Sequence, residues 1–235
     1  MQNLFSLLSY GPNGWGDELL AGAFVTIALS LAILPVGLAA GFFIALGKQS
    51  RDPLVRTAAQ IYTTIFRGVP ELLTLFLVYY GAQFGLNAMA RLVGWQIEIS
   101  PFVAGMVALG LVLSSYASEV FLSAFRGIPG GQYEAATALG LRRGTTIGLV
   151  IFPQLIRLAL PGLSNLWLNV MKDTALVSVI TLNDLLRQTT VAVAATKQPF
   201  FLYIVACLIY LALSMAASAG VWRVHVWSSR GVSHR

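Results

Sequence analysis

The sequence has few of the side chains that enzymes use for catalysis or for metal binding. Of 235 residues, one is a cysteine, Cys207, and two are histidines, His225 and His234, which lie in the tail. One cysteine in an apolar run forms neither a disulfide framework nor, with two tail histidines, a zinc site. Neither histidine lies near a serine of an apolar segment, which argues against a Ser/His/Asp group. The sequence therefore predicts no catalytic residue, no metal ligand and no intramembrane enzyme.

A phosphate-binding loop is also missing. The nearest match to GxxxxGK[ST] runs from Gly41 to Gln49, with five residues between its glycines and no hydroxyl after Lys48. We therefore expect this chain to bind no cofactor, and any ATP, with its magnesium ion, to be hydrolysed by a partner subunit. The first residues contain Asp17 and Glu18 but no lysine or arginine. Because a signal peptide begins with a basic region, we expect no cleavable signal peptide.

Charge of either sign is scarce in this chain. Charged residues make up 10% of the sequence, whereas 57% of its residues are hydrophobic. A soluble domain has about 25% charged residues, so this composition predicts an integral membrane protein in contact with lipid. The net charge of +6 does not indicate a nucleic-acid partner, because the basic residues lie in short loops rather than on one clustered surface.

Long apolar segments predict an all-α protein with five membrane-spanning helices. A helix needs about 20 residues to cross a bilayer, and Pro35 predicts a kink in the first one. The five predicted spans are 19–46, 57–84, 101–125, 158–182 and 199–222. No self-similarity relates the two halves, so we expect a dimer to supply the symmetry that other transporters obtain from internal repeats. The small residues that we assign to helix packing in such a dimer are Gly37, Gly41, Gly105 and Gly110.

The second predicted span contains charged and helix-breaking residues. Residues 72–81 alone, at about 1.5 Å per residue, are too few to cross the bilayer, so the span must begin further upstream. That placement puts Arg67 and Glu71 at membrane depth beside Gly68 and Pro70, and such helix breaks line cavities or face other protein. The alternative is an interfacial helix that ends before Arg67, with Arg67 reaching the cytoplasm and pairing with Glu71.

One carboxylate lies within the third predicted span. Glu119 is the one charged residue there, and Tyr116 lies one turn before it on the same helical face. A carboxylate at membrane depth is costly and is therefore a functional candidate. The alternative is a structural hydrogen bond or ion pair with another helix, for example with Arg67.

The fourth predicted span carries a polar stripe. Asn165, Asn169 and Lys172 recur at helical spacing, and Asp173 lies beside them. In an apolar helix such a stripe is expected to face a cavity or a partner subunit rather than lipid. Alternatively, Lys172 and Asp173 lie near the outer interface.

Basic residues predict the orientation of the chain. When alternate loops are assigned to alternate sides, nine lysines and arginines fall on one side and three on the other, and the basic side is the cytoplasmic one. We therefore expect the N-terminus outside, the C-terminus inside and loop 126–157 in the cytoplasm. The nine are Lys48, Arg51, Arg56, Arg126, Arg142, Arg143, Arg223, Arg230 and Arg235. The three are Arg91, Arg187 and Lys197.

The cytoplasmic loop contains the pattern of a short helix between two breaks. Residues 129–131 predict a turn, and residues 132–139 predict a helix with Glu134 in its first turn, where the helix dipole favours a negative charge. Gly140 is expected to end this helix. One face is small and smooth and is expected to contact something other than its own chain; it consists of Ala135, Ala138 and Leu139. The alternative is a plain helix-turn connector.

Three motifs resemble segments of ABC importer permeases. Residues 134–136 (EAA), Gly140 and residues 150–153 (VIFP) are similar to the EAA signature of those proteins, which ends in Ile-x-Leu-Pro, so that the departures are conservative. Residues 67–73 (RGVPELL) and 172–180 (KDTALVSVI) resemble segments of the polar amino acid uptake subfamily, of the histidine, ornithine and octopine type. Together these motifs extend the resemblance over nearly the whole chain.

The resemblance implies a type I ABC importer permease in a bacterial inner membrane. It implies that the EAA loop forms a coupling helix that docks into a groove of a cytoplasmic ATPase dimer. A second permease subunit, similar or identical, and a periplasmic binding protein would complete the importer. The residues assigned to coupling are Gln132, Tyr133, Glu134, Ala135, Ala136, Gly140 and Pro153. The candidates for the substrate path are Arg67, Glu71, Tyr116, Glu119, Asn165, Asn169, Lys172 and Asp173.

The leading hypothesis for function is therefore a permease subunit for polar amino acids, basic ones above all, or opines. Intramembrane carboxylates favour a cationic or zwitterionic ligand, because a buried charge needs a counter-charge. Leu122 stands where the resembled stretch usually has arginine, which leaves the ligand open. The alternative is an autonomous ion-coupled carrier or channel that uses Glu119, and a third hypothesis is a structural subunit without a path.

Overall fold

The computed structural model describes residues 4–11, 14–90 and 98–229. Of the residues used to predict orientation, Arg91, Arg230 and Arg235 lie outside these ranges, as does His234. Throughout the described ranges the regular secondary structure is helical, and the prediction of an all-α chain is confirmed.

The chain forms long helices joined by short connections. After a 3₁₀ turn at Leu4–Leu8, the α-helices are α1 (Gly16–Lys48), α2 (Pro53–Gly68), α3 (Glu71–Ala90), α4 (Pro101–Gly127), α5 (Gly131–Ala138), α6 (Arg143–Thr145), α7 (Phe152–Asp173), α8 (Leu185–Thr196) and α9 (Pro199–Ser229). A π-helical segment, Thr146–Ile151, joins α6 to α7, and a 3₁₀ segment, Thr174–Ile180, extends α7.

Five helical segments of the described chain are long and apolar enough to cross a membrane, as predicted. They are Gly16–Lys48, Glu71–Ala90, Pro101–Gly127, Arg143–Ile180 and Pro199–Arg223. The second begins at Glu71 rather than at residue 57, because α2 ends at Gly68 and the following Val69 is extended, as the residue before a proline usually is. The fourth begins at Arg143 rather than at residue 158, because the π-helical segment continues into α7.

Helix α4 lies at the centre of the fold and packs against α1, α2, α3 and α7. Its closest neighbour is α1, and glycines permit the approach. A methyl group on Gly41 would lie 2.7 Å from the Ala117 Cβ, and one on Gly37 would lie 2.5 Å from the Leu113 side chain. Near the start of α4, Gly105 packs against the Val177 side chain of the 3₁₀ segment that extends α7. The prediction that these small residues pack a dimer is therefore wrong for them, because they face helices of their own chain.

Helix α2 ends against the middle of α4. Asp52 caps its first turn by accepting a hydrogen bond from the Leu54 amide at 2.9 Å, and Pro53 fits the first helical position. Further along, the Tyr62 hydroxyl lies 2.7 Å from Ser114 Oγ of α4. The break between α2 and α3 therefore faces the central part of α4 instead of the end of the bundle.

Helix α8 is fixed to the first half of α1. Thr26 Oγ1 accepts a hydrogen bond from the Leu185 amide at 3.2 Å, and Asp184 caps α8 by accepting one from the Arg187 amide at 2.9 Å. Asp184 is fully buried. Glycine at position 22 permits this close contact, because a Cβ there would lie 2.9 Å from the Asp184 carbonyl oxygen.

Candidate transport site and coupling surface

A cavity of about 290 Å³ lies between α3, α4 and α7. Its polar lining was predicted from the sequence, and it brings together residues from three of the predicted spans. The predicted path residues that line it are Glu71, Tyr116, Asn169, Lys172 and Asp173. Asn165, one turn before Asn169, is exposed and is not among its lining residues. The C-terminal part of the polar stripe on α7 therefore lines the cavity, and its first residue does not.

The charged groups of this cavity lie at helix ends that suit their charges. Glu71 is the first residue of α3, and Lys172 lies in the last turn of α7. The helix dipole favours a carboxylate at the first position and an ammonium at the second. In the part of the chain that the structure describes, the ion pairs within 4.0 Å both involve Glu119. Glu71, Lys172 and Asp173 thus line the cavity without such a pair.

Glu119 lies beside the cavity and is held by two cations. Its Oε1 is 2.8 Å from Lys48 Nζ and 3.1 Å from Arg67 Nη1. Arg67 also places its guanidinium 5.5 Å from the centre of the Tyr116 ring, a cation–π distance. Of the alternatives for these residues, the structure contains the ion pair between Arg67 and Glu119, and Arg67 does not pair with Glu71.

Lys48 is the member of this network that sequence reasoning missed. We predicted a loop position for it, but it is the last residue of α1, its side chain is 4% exposed, and Nζ also donates to Ser118 Oγ at 3.1 Å. One signal was available in the sequence: Lys48 is the first charged residue after the uncharged run, which is compatible with a place at the end of the helix. Long lysine side chains at a helix end can fold back along the protein.

A second cavity has a volume of about 510 Å³. It lies between α4 and α7, with Glu119, Ser123 and Gly162 in its wall. Tyr116 lines the first cavity and Glu119 the second, and Arg67 contacts both side chains. Arg67 therefore contacts one lining residue of each cavity.

The predicted coupling helix is α5, and its surface is largely exposed. Glu134 and Ala135 are exposed, and Leu139, just beyond the helix, is 78% exposed. Ala136 points the other way and is 3% exposed, so it anchors α5 to the rest of the chain. Gln132 contributes to that anchor, because its Oε1 accepts a hydrogen bond from Gln154 Nε2 at 3.1 Å.

Backbone geometry at both ends of the loop explains two of its residues. Gly140 has φ +71, a conformation that glycine adopts without strain. The Gly140 and Leu141 amides donate to the carbonyls of Thr137 and Ala136 at 2.9 and 3.0 Å, which is the Schellman ending of a helix. Pro153 lies in the first turn of α7, directly after the π-helical segment, and supplies no backbone amide donor there. Gly140 and Pro153 therefore shape the loop.

Comparison with known proteins agrees with this architecture. Residues 33–222 match the model of a family described as the binding-protein-dependent transport system inner membrane component. This chain belongs to that family. The permease is 39% identical over 230 residues to the nopaline transport system permease protein NocQ of Agrobacterium fabrum, covering 97% of this chain and 98% of NocQ.

Other relatives cover most of the permease as well. It is 38% identical over 206 residues to the histidine/lysine/arginine/ornithine transport system permease protein HisQ of Escherichia coli, covering 87% of this chain and 90% of HisQ. It is 33% identical over 228 residues to the octopine transport system permease protein OccQ of Rhizobium meliloti, covering 96% of both chains. The resemblance to ABC importer permeases is therefore confirmed.

A solved structure shares both fold and sequence with the permease. The structure, described as an amino acid ABC transporter with histidines, matches with a TM-score of 0.77 and 31% identity over 90% of this chain and 94% of that chain. The relatives are permease subunits and not enzymes, and in such importers the ATPase is a separate subunit. The autonomous carrier or channel is therefore not favoured.

Proposed function

We propose that this permease forms half of the membrane path of a bacterial inner-membrane importer for basic amino acids or opines. The observation that carries the proposal is the cavity between α3, α4 and α7, with Glu71, Lys172 and Asp173 in its wall. Its volume of about 290 Å³ is close to the lower end of the range of small-molecule sites, about 300–1,000 Å³.

The charges of the cavity complement those of a cationic amino acid. Two carboxylates, Glu71 and Asp173, match the α-ammonium and a basic side chain, and the Lys172 ammonium matches the α-carboxylate. Each contact would place opposite charges together in a site of low dielectric, where an unpaired charge is costly. Asn169 would donate or accept a further hydrogen bond. The names of the relatives, which transport histidine, lysine, arginine, ornithine, nopaline or octopine, support this ligand class.

Coupling to ATP hydrolysis is assigned to α5. Exposed Glu134 and Ala135 present a polar and small surface, and Ala136 holds that surface to the body of the permease. An ATPase bound there would transmit its closure to α7 through the π-helical segment that α5 contacts. ATP and magnesium would be held by the ATPase and not by this chain.

The complete importer would contain two permease subunits, two ATPase subunits and a periplasmic binding protein. The second permease subunit is similar or identical to this one, and lipid surrounds both. The orientation with the N-terminus outside remains a prediction from the distribution of basic residues. It places α5 on the side where a cytoplasmic ATPase can reach it.

Uptake by proteoliposomes tests the ligand assignment. The assembled importer, loaded with ATP inside and supplied with binding protein outside, is assayed with labelled arginine. We expect Glu71→Gln and Asp173→Asn each to slow arginine uptake about 10- to 100-fold, because each removes a charged partner worth about 1.5–3 kcal/mol. Asn165→Ala is the matched control for Asn169→Ala, since both lie on α7 but only Asn169 lines the cavity.

Two results would overturn this proposal. One is uptake that continues without ATP and follows an ion gradient, which the autonomous carrier predicts. The other is a rate for Glu71→Gln and Asp173→Asn equal to that of Asn165→Ala, which would remove the cavity from the path.

A further inference from the structure

A third cleft lies on a different face of α7 from the transport cavity. It has a volume of about 380 Å³ and lies between α1, α7 and α9. Its walls are formed mainly by Leu34, Leu38, Leu160, Ser164, Trp167 and Gly220. The Ser164 hydroxyl already donates to the Leu160 carbonyl at 2.6 Å. Among the described wall side chains, the polar atom without a partner is the buried Trp167 Nε1, and the other wall side chains are apolar. The cleft therefore suits hydrocarbon and not a polar substrate.

The three helices run in directions that give the cleft a basic end. Helix α7 is antiparallel to α4, because Gly162 packs on Val120 and Leu158 packs on Gly127. Helix α1 is parallel to α4, because Gly37 packs on Leu113 and Gly41 on Ala117, so α7 is antiparallel to α1 as well. Helix α9 runs parallel to α1, because Tyr210 lies beside Thr26 while Gly220, further along α9, lines the cleft with Leu38, further along α1. Residues that precede the α7 wall and residues that follow the α9 wall thus lie at the same end of the cleft.

Each of these two helices places an arginine there. Arg157 is three residues before Leu160 and shares a helical stripe with Leu160 and Ser164, while Arg223 is three residues after Gly220. Both arginines are exposed, and neither has an ion pair within 4.0 Å among the described residues. This end is also the one that the distribution of basic residues predicts to be cytoplasmic. Two exposed cations thus lie about one helical turn beyond an apolar cleft.

We propose that the cleft between α1, α7 and α9 binds an anionic phospholipid, with one acyl chain in the cleft and the phosphate between Arg157 and Arg223. All three helices are long and apolar enough to span the membrane, so the cleft opens to hydrocarbon. An empty cleft would forfeit dispersion contacts along its walls. Basic groups at the cytoplasmic ends of membrane helices attract anionic lipid. The site is separate from the transport cavity and does not depend on the proposed substrate.

Gly220 offers a direct test of the acyl-chain site. A Cβ on Gly220 would meet no atom within 4 Å, so Gly220→Leu can place its side chain in the cleft without displacing a neighbouring residue. Leucine is also a better helix former than glycine, which protects the variant against misfolding. The matched control is Gly81→Leu, at a glycine of α3 that also has open space around it and lies outside the cleft.

Native mass spectrometry of the detergent-purified permease, with whatever subunits accompany it, measures the retained lipid. We expect wild type and Gly81→Leu to carry phosphatidylglycerol or another anionic phospholipid, and Gly220→Leu to lose it. The proposal is overturned if wild type retains no phospholipid, as when the second permease subunit covers the cleft. Retention by Gly220→Leu equal to that of wild type also overturns it.

The two arginines test the headgroup assignment. Purified permease in mixed micelles is titrated with phosphatidylglycerol and, separately, with zwitterionic phosphatidylcholine. We expect Arg157→Gln and Arg223→Gln each to weaken phosphatidylglycerol binding about fivefold and to leave phosphatidylcholine binding unchanged. Arg56→Gln, at an exposed arginine of α2, is the control. Equal binding of the two lipids by wild type, or losses for Arg56→Gln as large as for the cleft variants, would overturn the headgroup assignment.

Discussion

The ammonium of Lys48 lies 2.8 Å from the Glu119 carboxylate, and the lysine side chain is 4% exposed. This contact joins the end of α1 to α4. Taking a lysine out of water is costly, and its pairing with Glu119 and Ser118 offsets that cost. We interpret Glu119 as the counter-ion of Lys48, so its role is first of all to hold the helices together.

Removal of the Glu119 charge should destabilise the permease. We expect Glu119→Gln to cost about 1–3 kcal/mol, less than the ~3–5 kcal/mol for a fully buried pair, because the Glu119 side chain is 40% exposed. Arg67→Gln should cost less than about 1 kcal/mol, since its side chain is 45% exposed. Thermal unfolding in detergent measures both variants.

A double variant tests whether the loss of stability comes from leaving Lys48 buried without its partner Glu119. Lys48→Met combined with Glu119→Gln should be more stable than Glu119→Gln alone, because no unpaired buried charge remains. If Arg67→Gln is as damaging as Glu119→Gln, or if the double variant is the least stable of the three, Lys48 is not the main partner.

Asp184 should make stability depend on pH. Burial raises the pKa of its carboxyl from 3.8 to about 6, and the hydrogen bond that it accepts from the Arg187 amide offsets only part of that rise. The folded state therefore binds this proton more tightly than the unfolded state. Its stabilising contribution is complete below about pH 4 and is lost as pH rises through about 6, to a total of about 3 kcal/mol.

Asparagine at position 184 should remove this dependence. Asn caps a helix about as well as Asp, so Asp184→Asn should melt above wild type at pH 7.5. The difference should be about half as large at pH 5 and should close below about pH 4. Asp52→Asn is the control, because Asp52 caps α2 in the same way but is exposed. A difference in melting temperature that is the same at both pH values would show that Asp184 is ionised throughout.

The left-handed conformation of Gly140 gives a prediction for the coupling helix. Alanine at φ +71 costs about 1–2 kcal/mol, so in Gly140→Ala the amides of α5 should exchange with deuterium about 5- to 30-fold faster. Gly144→Ala is the matched control, because Gly144 has open space and no positive φ. Equal exchange rates in the two variants would show that the Schellman ending does not limit α5.

Residues with strong local signals were predictable from the sequence. The apolar runs predicted five spans because span length depends on bilayer thickness alone. Glu71, Asn169 and Lys172 were candidates because polar groups are costly at membrane depth, and the structure brings all three to one cavity. Gly140 was predicted to end α5, and its positive φ is the conformation in which a glycine ends a helix.

What the sequence left open depends on contacts between distant segments. Lys48 and Glu119 are 71 positions apart, and the position of Lys48 at the end of an apolar run does not show which carboxylate it pairs with. Gly37 and Gly41 have the same appearance whether they pack a dimer or their own chain, because a glycine only permits close approach and does not select the partner. The predicted start of the second span was wrong because the sequence does not show whether the helix continues through Gly68 and Pro70 or breaks there. That depends on what packs against the break between α2 and α3.

Copurification with an ATPase tests the central claim most directly. Wild-type permease extracted in detergent should retain a soluble ATPase, and Glu134→Lys should lose it, because the reversed charge lies on the exposed surface of α5. Glu98→Lys is the control, since Glu98 is exposed and is predicted to lie on the outer side. If wild type holds no ATPase, or if Glu98→Lys loses it while Glu134→Lys does not, the account of coupling through α5 is contradicted.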